Sequence, residues 1–409
     1  MRVWVGLRRL PIFWVLVMGG QAWPLAAAAE APSDYCEIAK NAIKEASLIR
    51  ELAVKRSVPC LVHDKGAVRD YLVQTIDTKL PKNKLKWEGL SYKLIGLVPD
   101  EFNYEQGLLD LYLNQIGGYY DPEKKHFIMA AWMPAMLQTT VAVHELTHGL
   151  QDQHFNLERM MDPKIENGDL LLARSALVEG DANFVMLEQA RKQAGQGTLR
   201  AEPNVDAFVM QNILGLSLMG GSAIPNSLQM MVLFPYTSGL RFVHYLIRQG
   251  GYSKVNAVFK KPPRSTEEIL HPEKYDVAMA DFKEYSQAEL RGTEVPSEYQ
   301  QVYVDTMGEF LISSLLGNFE TDKRISALAA AGWGGDRLGI FEDSGKRIMV
   351  WRTNWDTPED AAEFEKSFQH SLSKRISGYQ PGAEQSLGSN RIKFITSGKE
   401  ATLVIRGEG

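Results

Sequence analysis

Cysteine is scarce here: Cys36 and Cys60 are the only two in 409 residues. A metal centre built on thiolates needs more, so neither is expected to be a zinc ligand. In an oxidising compartment two cysteines pair. The expected bridge ties a first helix, about 34 to 54, to the segment after Pro59; the alternative is two buried free thiols. Long apolar runs are also missing. The Leu-, Met- and aromatic-rich stretch from Phe208 to Gly251 is broken by Gly220, Gly221, Pro225 and Pro235. It falls short of the roughly 18 uncharged apolar residues of a membrane span and reads as core helix. Basic residues are not clustered, which argues against a nucleic-acid partner. No internal repeat is visible, and the only biased tract is Ala26 to Ala29. What is present is a globular composition, 44% hydrophobic and 23% charged, long enough for two or more domains.

The first residues read as a secretory leader. Arg2, Arg8 and Arg9 form a positive start, Ile12 to Met18 a short apolar core, and Leu25 to Ala31 a small-residue cleavage region. An uncleaved anchor is the rival reading. The chain is therefore expected to be exported, periplasmic or secreted, and not an integral membrane protein once cleaved.

One stretch carries chemistry. His144-Glu145-Leu146-Thr147-His148 is an H-E-x-x-H motif. On a helix, residues four apart lie one turn above each other, so both imidazoles can aim at one point with Glu145 beside it. Two neutral imidazoles suit zinc, and the carboxylate can take a proton from a zinc-activated water. The plain alternative is an amphipathic helix with two surface histidines. Val141, Ala142, Val143, Leu146 and Leu150 argue for burial instead, and burying His, Glu and His without partners is costly.

The third ligand has two candidates. His154 stands where the metzincin pattern has its last histidine, but that pattern needs a glycine to turn the chain back, and the position is Gln151. Glu179, among the apolar Leu177, Val178 and Ala182, would give a two-histidine, one-glutamate site with an open position. It is the preferred candidate. Gly180 beside it is expected to let the two helices approach closely, and Asp181 or Asn183 to hydrogen-bond a ligand histidine.

These residues resemble the gluzincin zinc metallopeptidases. More narrowly, Val143 to Phe155, Leu177 to Ala182 and Pro263 to Tyr275 resemble a family of exported bacterial metallopeptidases whose substrates are undefined. The resemblance spans about residues 100 to 275. It implies zinc at His144, His148 and Glu179, with Glu145 as base.

The remaining chain frames this centre. Residues 34 to 115 read as mostly helical. Gly117 to Ala130 reads as a β-hairpin around an Asp121-Pro122-Glu123-Lys124 turn. It is either a cleft wall that takes substrate by strand addition or a plain structural hairpin. Ser265 or Thr266 can cap a short helix. His271, with Tyr236 and Arg264 as rivals, is a candidate donor to a developing oxyanion. An amphipathic helix is expected at about 299 to 317, and strands at Arg347 to Trp355, Arg391 to Thr396 and Glu400 to Arg406 around a helix from Pro358 to Leu372.

The expectation is thus an α+β protein: leader 1–29, helical region 30–100, a mainly helical zincin-like core 101–320, and a C-terminal α+β module 321–409. Its expected activity is that of an exported zinc metalloendopeptidase-like hydrolase acting on a protein or peptide. The rival is a non-catalytic envelope scaffold that keeps a zinc-stabilised site. Mature protein is expected to start near residue 30; the intact mass of periplasmic material checks this, and an unprocessed mass contradicts it.

Overall fold

The computed structural model describes residues 35–219, 224–275 and 282–408. The expected leader and the Gly220-Gly221 break lie outside them. The architecture is α+β: a helical part carrying a three-stranded sheet, and a six-stranded antiparallel sheet.

Helix α1 (Tyr35–Arg50) buries Ala39, Ala42 and Ala46, whose small side chains let it lie close on its neighbours. Strand β1 (Cys60–His63) follows, and Cys36 and Cys60 form a disulfide with Cα atoms 5.5 Å apart. Then come α2 (Lys65–Lys79), α3 (Lys84–Ile95) and α4 (Tyr104–Gln115). The expected hairpin is present as β2 (Gly118–Asp121) and β3 (His126–Ala130). Asp121 shapes its turn by accepting the N–H groups of Glu123 and Lys124. Strand β3 also pairs in parallel with β1, which the sequence pattern did not reveal, so β2 is an edge.

Helix α5 (Ala135–Phe155) carries the His-Glu motif and is buried on every side from Val141 to Gln153. After the single turn α6 (Leu157–Met160) comes α7 (Gly168–Gln193), capped by the Asn167 side chain on Leu170 N–H. The apolar stretch forms α8 (Asp206–Met219) and α9 (Asn226–Lys260), the latter with Pro235 inside and a kink at Gly250–Gly251. No helix among the described residues is long and apolar enough to cross a membrane. Ser265 caps α10 (Thr266–Leu270), as anticipated.

The α7–α9 contact is backbone against backbone. A Cβ built on Gly180 would sit 2.1 Å from Gly239 O, and one on Gly239 would sit 2.1 Å from Ala176 O. Gly180 does permit a close approach, then, but to α9 rather than to α5.

Past α11 (Gln287–Arg291) the expected helix at 299–317 divides. Its first part is strand β4 (Gln300–Asp305), paired with β5 (Trp333–Asp343); only Gly308–Gly317 is helical, as α12. Gly308 breaks the pattern: its φ is +72°, and a Cβ there would strike the Asp169 carboxylate. Helix α13 (Lys323–Ala330) leads into β5, and β6 (Lys346–Trp355), α14 (Pro358–Arg375), β7 (Gln385–Leu387), β8 (Asn390–Ser397) and β9 (Glu400–Glu408) complete the module. The strand order is β4-β5-β6-β9-β8-β7, so the sheet begins ahead of residue 321. One sheet face buries Met349, Trp351 and Leu403 with Phe364 and Phe368 of α14; the other buries Ile348, Val350 and Val404 with Leu290 of α11. The first of these clusters also takes in Trp87, Tyr92 and Ile95 of α3, so the sheet and the N-terminal helices share a core.

Three buried aspartates join the parts. Asp336 accepts the indole N–H groups of Trp333 and Trp351 and the backbone N–H groups of Met307 and Gly308. Asp305 accepts Gly168 N–H at the start of α7. Asp169, the next residue, accepts both the N–H and the hydroxyl of Thr266 in α10.

Three outcomes follow from this packing. Asp336→Ala strands four buried donors and is expected to cost on the order of 4 kcal/mol in urea unfolding; a loss under ~1 kcal/mol contradicts the assigned role. Gly239→Ala is expected to cost about 3 kcal/mol through overpacking, read the same way. Unreduced protein should take up no thiol-alkylating label at Cys36 or Cys60; labelling of either ends the bridge.

Candidate metal centre

Helix α5 presents His144 and His148 on one side, their rings edge to face with centroids 4.8 Å apart. Helix α7 brings Glu179 against them. His144 Nε2 lies 3.2 Å from Glu179 Oε2, and His148 Nε2 lies 3.9 Å from the same oxygen. One ligand atom from each of the three residues lies within 4.8 Å of the others, and all three residues are buried. Burial pushes the His144 imidazole down to about 3 and His148 well below its ordinary value. Both rings are thus neutral, the form that binds a metal. Burial likewise raises the Glu179 carboxyl, with the Glu145 charge adding to the rise and the Tyr236 hydrogen bond opposing it. A cation among these groups relieves that burden. This trio could hold a metal ion.

The surroundings fix the ligand orientation. Gln151 lies one turn beyond His148 on α5. Its Nε2 donates to Val178 O at 3.0 Å and to Asp181 Oδ2 at 2.8 Å, so its Oε1 is the atom 2.7 Å from His148 Nδ1. An amide oxygen can only accept, which places the proton on Nδ1 and the lone pair on Nε2, toward Glu179. Asp181 is held in turn by the buried Arg50 of α1, through Nε at 2.7 Å, and Arg50 Nη2 reaches Asn256 Oδ1 at 2.8 Å. Of the two supports expected for a ligand histidine, Asp181 acts through Gln151, whereas Asn183 donates to Tyr236 O. Gln151 and Arg50 were not anticipated. The signal for Gln151 was its i, i+3 spacing from His148; Arg50 arrives from another helix and left none.

Glu145 is fully buried. Its Oε2 accepts the Tyr120 N–H of the edge strand β2 at 3.0 Å, and its Oε1 has no hydrogen-bond partner among the described residues. Burial raises this carboxyl well above its ordinary value, partly offset by the Tyr120 bond. The hairpin therefore walls the centre and positions Glu145 through its own backbone.

The other candidates sort by their partners. Tyr236 of α9 donates its hydroxyl to Glu179 Oε1 at 3.0 Å, and its ring stacks on His144 with centroids 6.3 Å apart. His271 does not join the cluster. Its Nε2 pairs with Glu309 Oε1 at 2.9 Å, and the short helix before it docks on Asp169, ten residues and about 15 Å along α7 from Glu179. Arg264 pairs with Glu268. His154 bonds Ala53 O at 2.8 Å. Its neighbours Asp152 and Gln153 serve the fold: Asp152 accepts Tyr120 Oη and Arg56, and Gln153 takes the N–H groups of Lys55 and Arg56.

Residues 297–406, the stretch that holds β4 to β8 and most of β9, match a family described as a domain of unknown function, DUF8575. The His144, His148 and Glu179 cluster lies outside the matched residues. No curated protein and no solved structure matches the chain.

Proposed function

We propose that this chain is an exported zinc-dependent metallopeptidase, with His144, His148 and Glu179 as ligands and Glu145 as general base. Two imidazoles and one carboxylate are the donors of a catalytic zinc site that keeps an open position, and they are poorly suited to calcium or magnesium. When bound, zinc supplies a Lewis acid that acidifies water and polarises a carbonyl.

The observation that carries the reading is Glu145. One of its oxygens is pinned by the Tyr120 N–H, and the other is buried with no hydrogen-bond partner among the described residues, on the residue next to a ligand histidine. A purely structural ion site has no need of that carboxylate. Here Glu145 takes the proton of the attacking water and delivers it to the leaving amine. Tyr236 donates its hydroxyl to Glu179 Oε1 and so orients that ligand carboxylate. Arg50, Asp181 and Gln151 keep the His148 lone pair aimed at the site. The Cys36–Cys60 disulfide accords with an oxidising compartment.

The second reading, a non-catalytic envelope scaffold with a metal-stabilised core, draws on the burial of all three ligands. Two measurements separate the readings: metal content after dialysis against a weak chelator, and cleavage of a peptide library. Glu179→Ala and His148→Ala should empty the site, because ligand count sets affinity, and His154→Ala should leave it filled. Gln151→Ala should weaken zinc about 10–100-fold. Glu145→Gln should keep zinc and lose roughly 10²–10⁴-fold in turnover. Wild-type protein that binds zinc and cuts no peptide supports the scaffold; a site emptied by His154→Ala and not by Glu179→Ala overturns the ligand set.

A further inference from the structure

A cavity of about 290 Å³ adjoins the metal-capable cluster, with Glu179 and Tyr236 in its wall. That is near the low end of ligand pockets and about twice the cavity that accommodates a benzene ring. Its shaft is apolar: Leu72 and Ile76 of α2, Leu108 and Leu109 of α4, and Leu171 and Leu172 of α7.

The shaft also carries polar groups apart from the metal ligands. Glu88 of α3 lines the cavity. Tyr104 and Tyr92 both direct their hydroxyls at its Oε1, at 2.9 and 3.4 Å, and no described residue donates to Oε2. Asp305 lines the same cavity, with its oxygens taken by Gly168 N–H, Thr306 N–H and the Tyr303 hydroxyl. Lys84, one turn before Glu88, acts on it through space alone. Burial raises the Glu88 carboxyl, with Lys84 opposing the rise and Asp305 adding to it, so a cationic group brought beside it favours its ionised form. Tyr112 stands between the two regions: burial and the charges of Glu88 and Glu179 together push its hydroxyl up to about 12.

We propose that this cavity is the specificity pocket of the site and takes a long substrate side chain with an aliphatic stem and a cationic end, lysine or arginine, whose charge meets Glu88. The proposal rests on the peptidase reading for its substrate. The stem lies along the leucines, as the methylenes of lysine and arginine do on apolar surfaces, and the head group donates to the open Glu88 oxygen. A neutral aliphatic side chain fills the shaft and leaves that oxygen unmatched.

The test uses the full chain and two probes of similar length, n-pentylguanidinium and 1-hexanol, titrated calorimetrically. Guanidinium does not ligate metals and stays charged, so binding reads the pocket and not the metal. Wild type should bind pentylguanidinium at least about 10-fold more tightly than hexanol. Glu88→Gln should lose about 10-fold for the cation and leave hexanol unchanged. Leu109→Trp, which fills the shaft, should weaken both, and it keeps the test decisive if Glu88→Gln fails to fold. Equal or tighter hexanol binding, an unaffected Glu88→Gln, or an unaffected Leu109→Trp overturns the proposal. Peptides with lysine, arginine or norleucine beside the scissile bond are then compared. Probe selectivity with no cleavage of any peptide counts against the peptidase reading alone. Cleavage that favours norleucine counts against the pocket alone.

Discussion

Burying polar groups on a central helix is the constraint on which this structure depends. Between Val141 and Gln153, α5 has no solvent-facing side, yet it carries His144, Glu145, His148, Gln151 and Asp152. Each such group costs free energy unless it finds a partner. The surrounding elements are arranged to supply those partners. Strand β2 gives a backbone N–H to Glu145, α7 gives Glu179 and Asp181, α9 gives Tyr236, and α1 gives Arg50. A helical core built for stability alone would place leucine at several of these positions. The polar cluster is a centre that could hold a metal ion, and the packing around it is its support.

Close packing makes that support precise. The glycine pair at 180 and 239 lets α7 and α9 touch through backbone atoms, which brings the Tyr236 hydroxyl within hydrogen-bonding reach of Glu179. At the other end of α7, residues 168 and 169 are fastened to the 305–308 corner and to α10. The six-stranded sheet therefore acts on the centre indirectly, by fixing where α7 starts. That corner is in turn fixed by Asp336, whose four accepted hydrogen bonds join two tryptophans of the sheet to the backbone at 307 and 308.

Much of this was legible in the sequence where the relevant interaction is local. The i, i+4 spacing of His144 and His148, the cap at Ser265, the hairpin around Asp121 and the alternation in β6, β8 and β9 are each set by a few neighbouring residues. Long-range contacts account for the departures from the local pattern. The apolar residues of Gln300 to Asp305 continue the helical spacing of α12, yet pairing with β5 makes the segment a strand. His271, a candidate donor because an imidazole can serve an oxyanion, pairs instead with Glu309, and the short helix before it docks on Asp169 at the far end of α7.

By itself the sequence determined the chemistry that one helical turn can hold: two imidazoles on one side, a carboxylate beside them, and apolar flanks that require burial. It also supplied two cysteines, and the structure pairs them. Tertiary structure decided the rest. Glu179 is 35 residues from His144, Tyr236 is 57 from Glu179, and Arg50 is 131 from Asp181. No local periodicity relates such positions, because their meeting depends on how closely three helices pack, and that distance is set by glycine backbones and an aspartate corner remote from the motif.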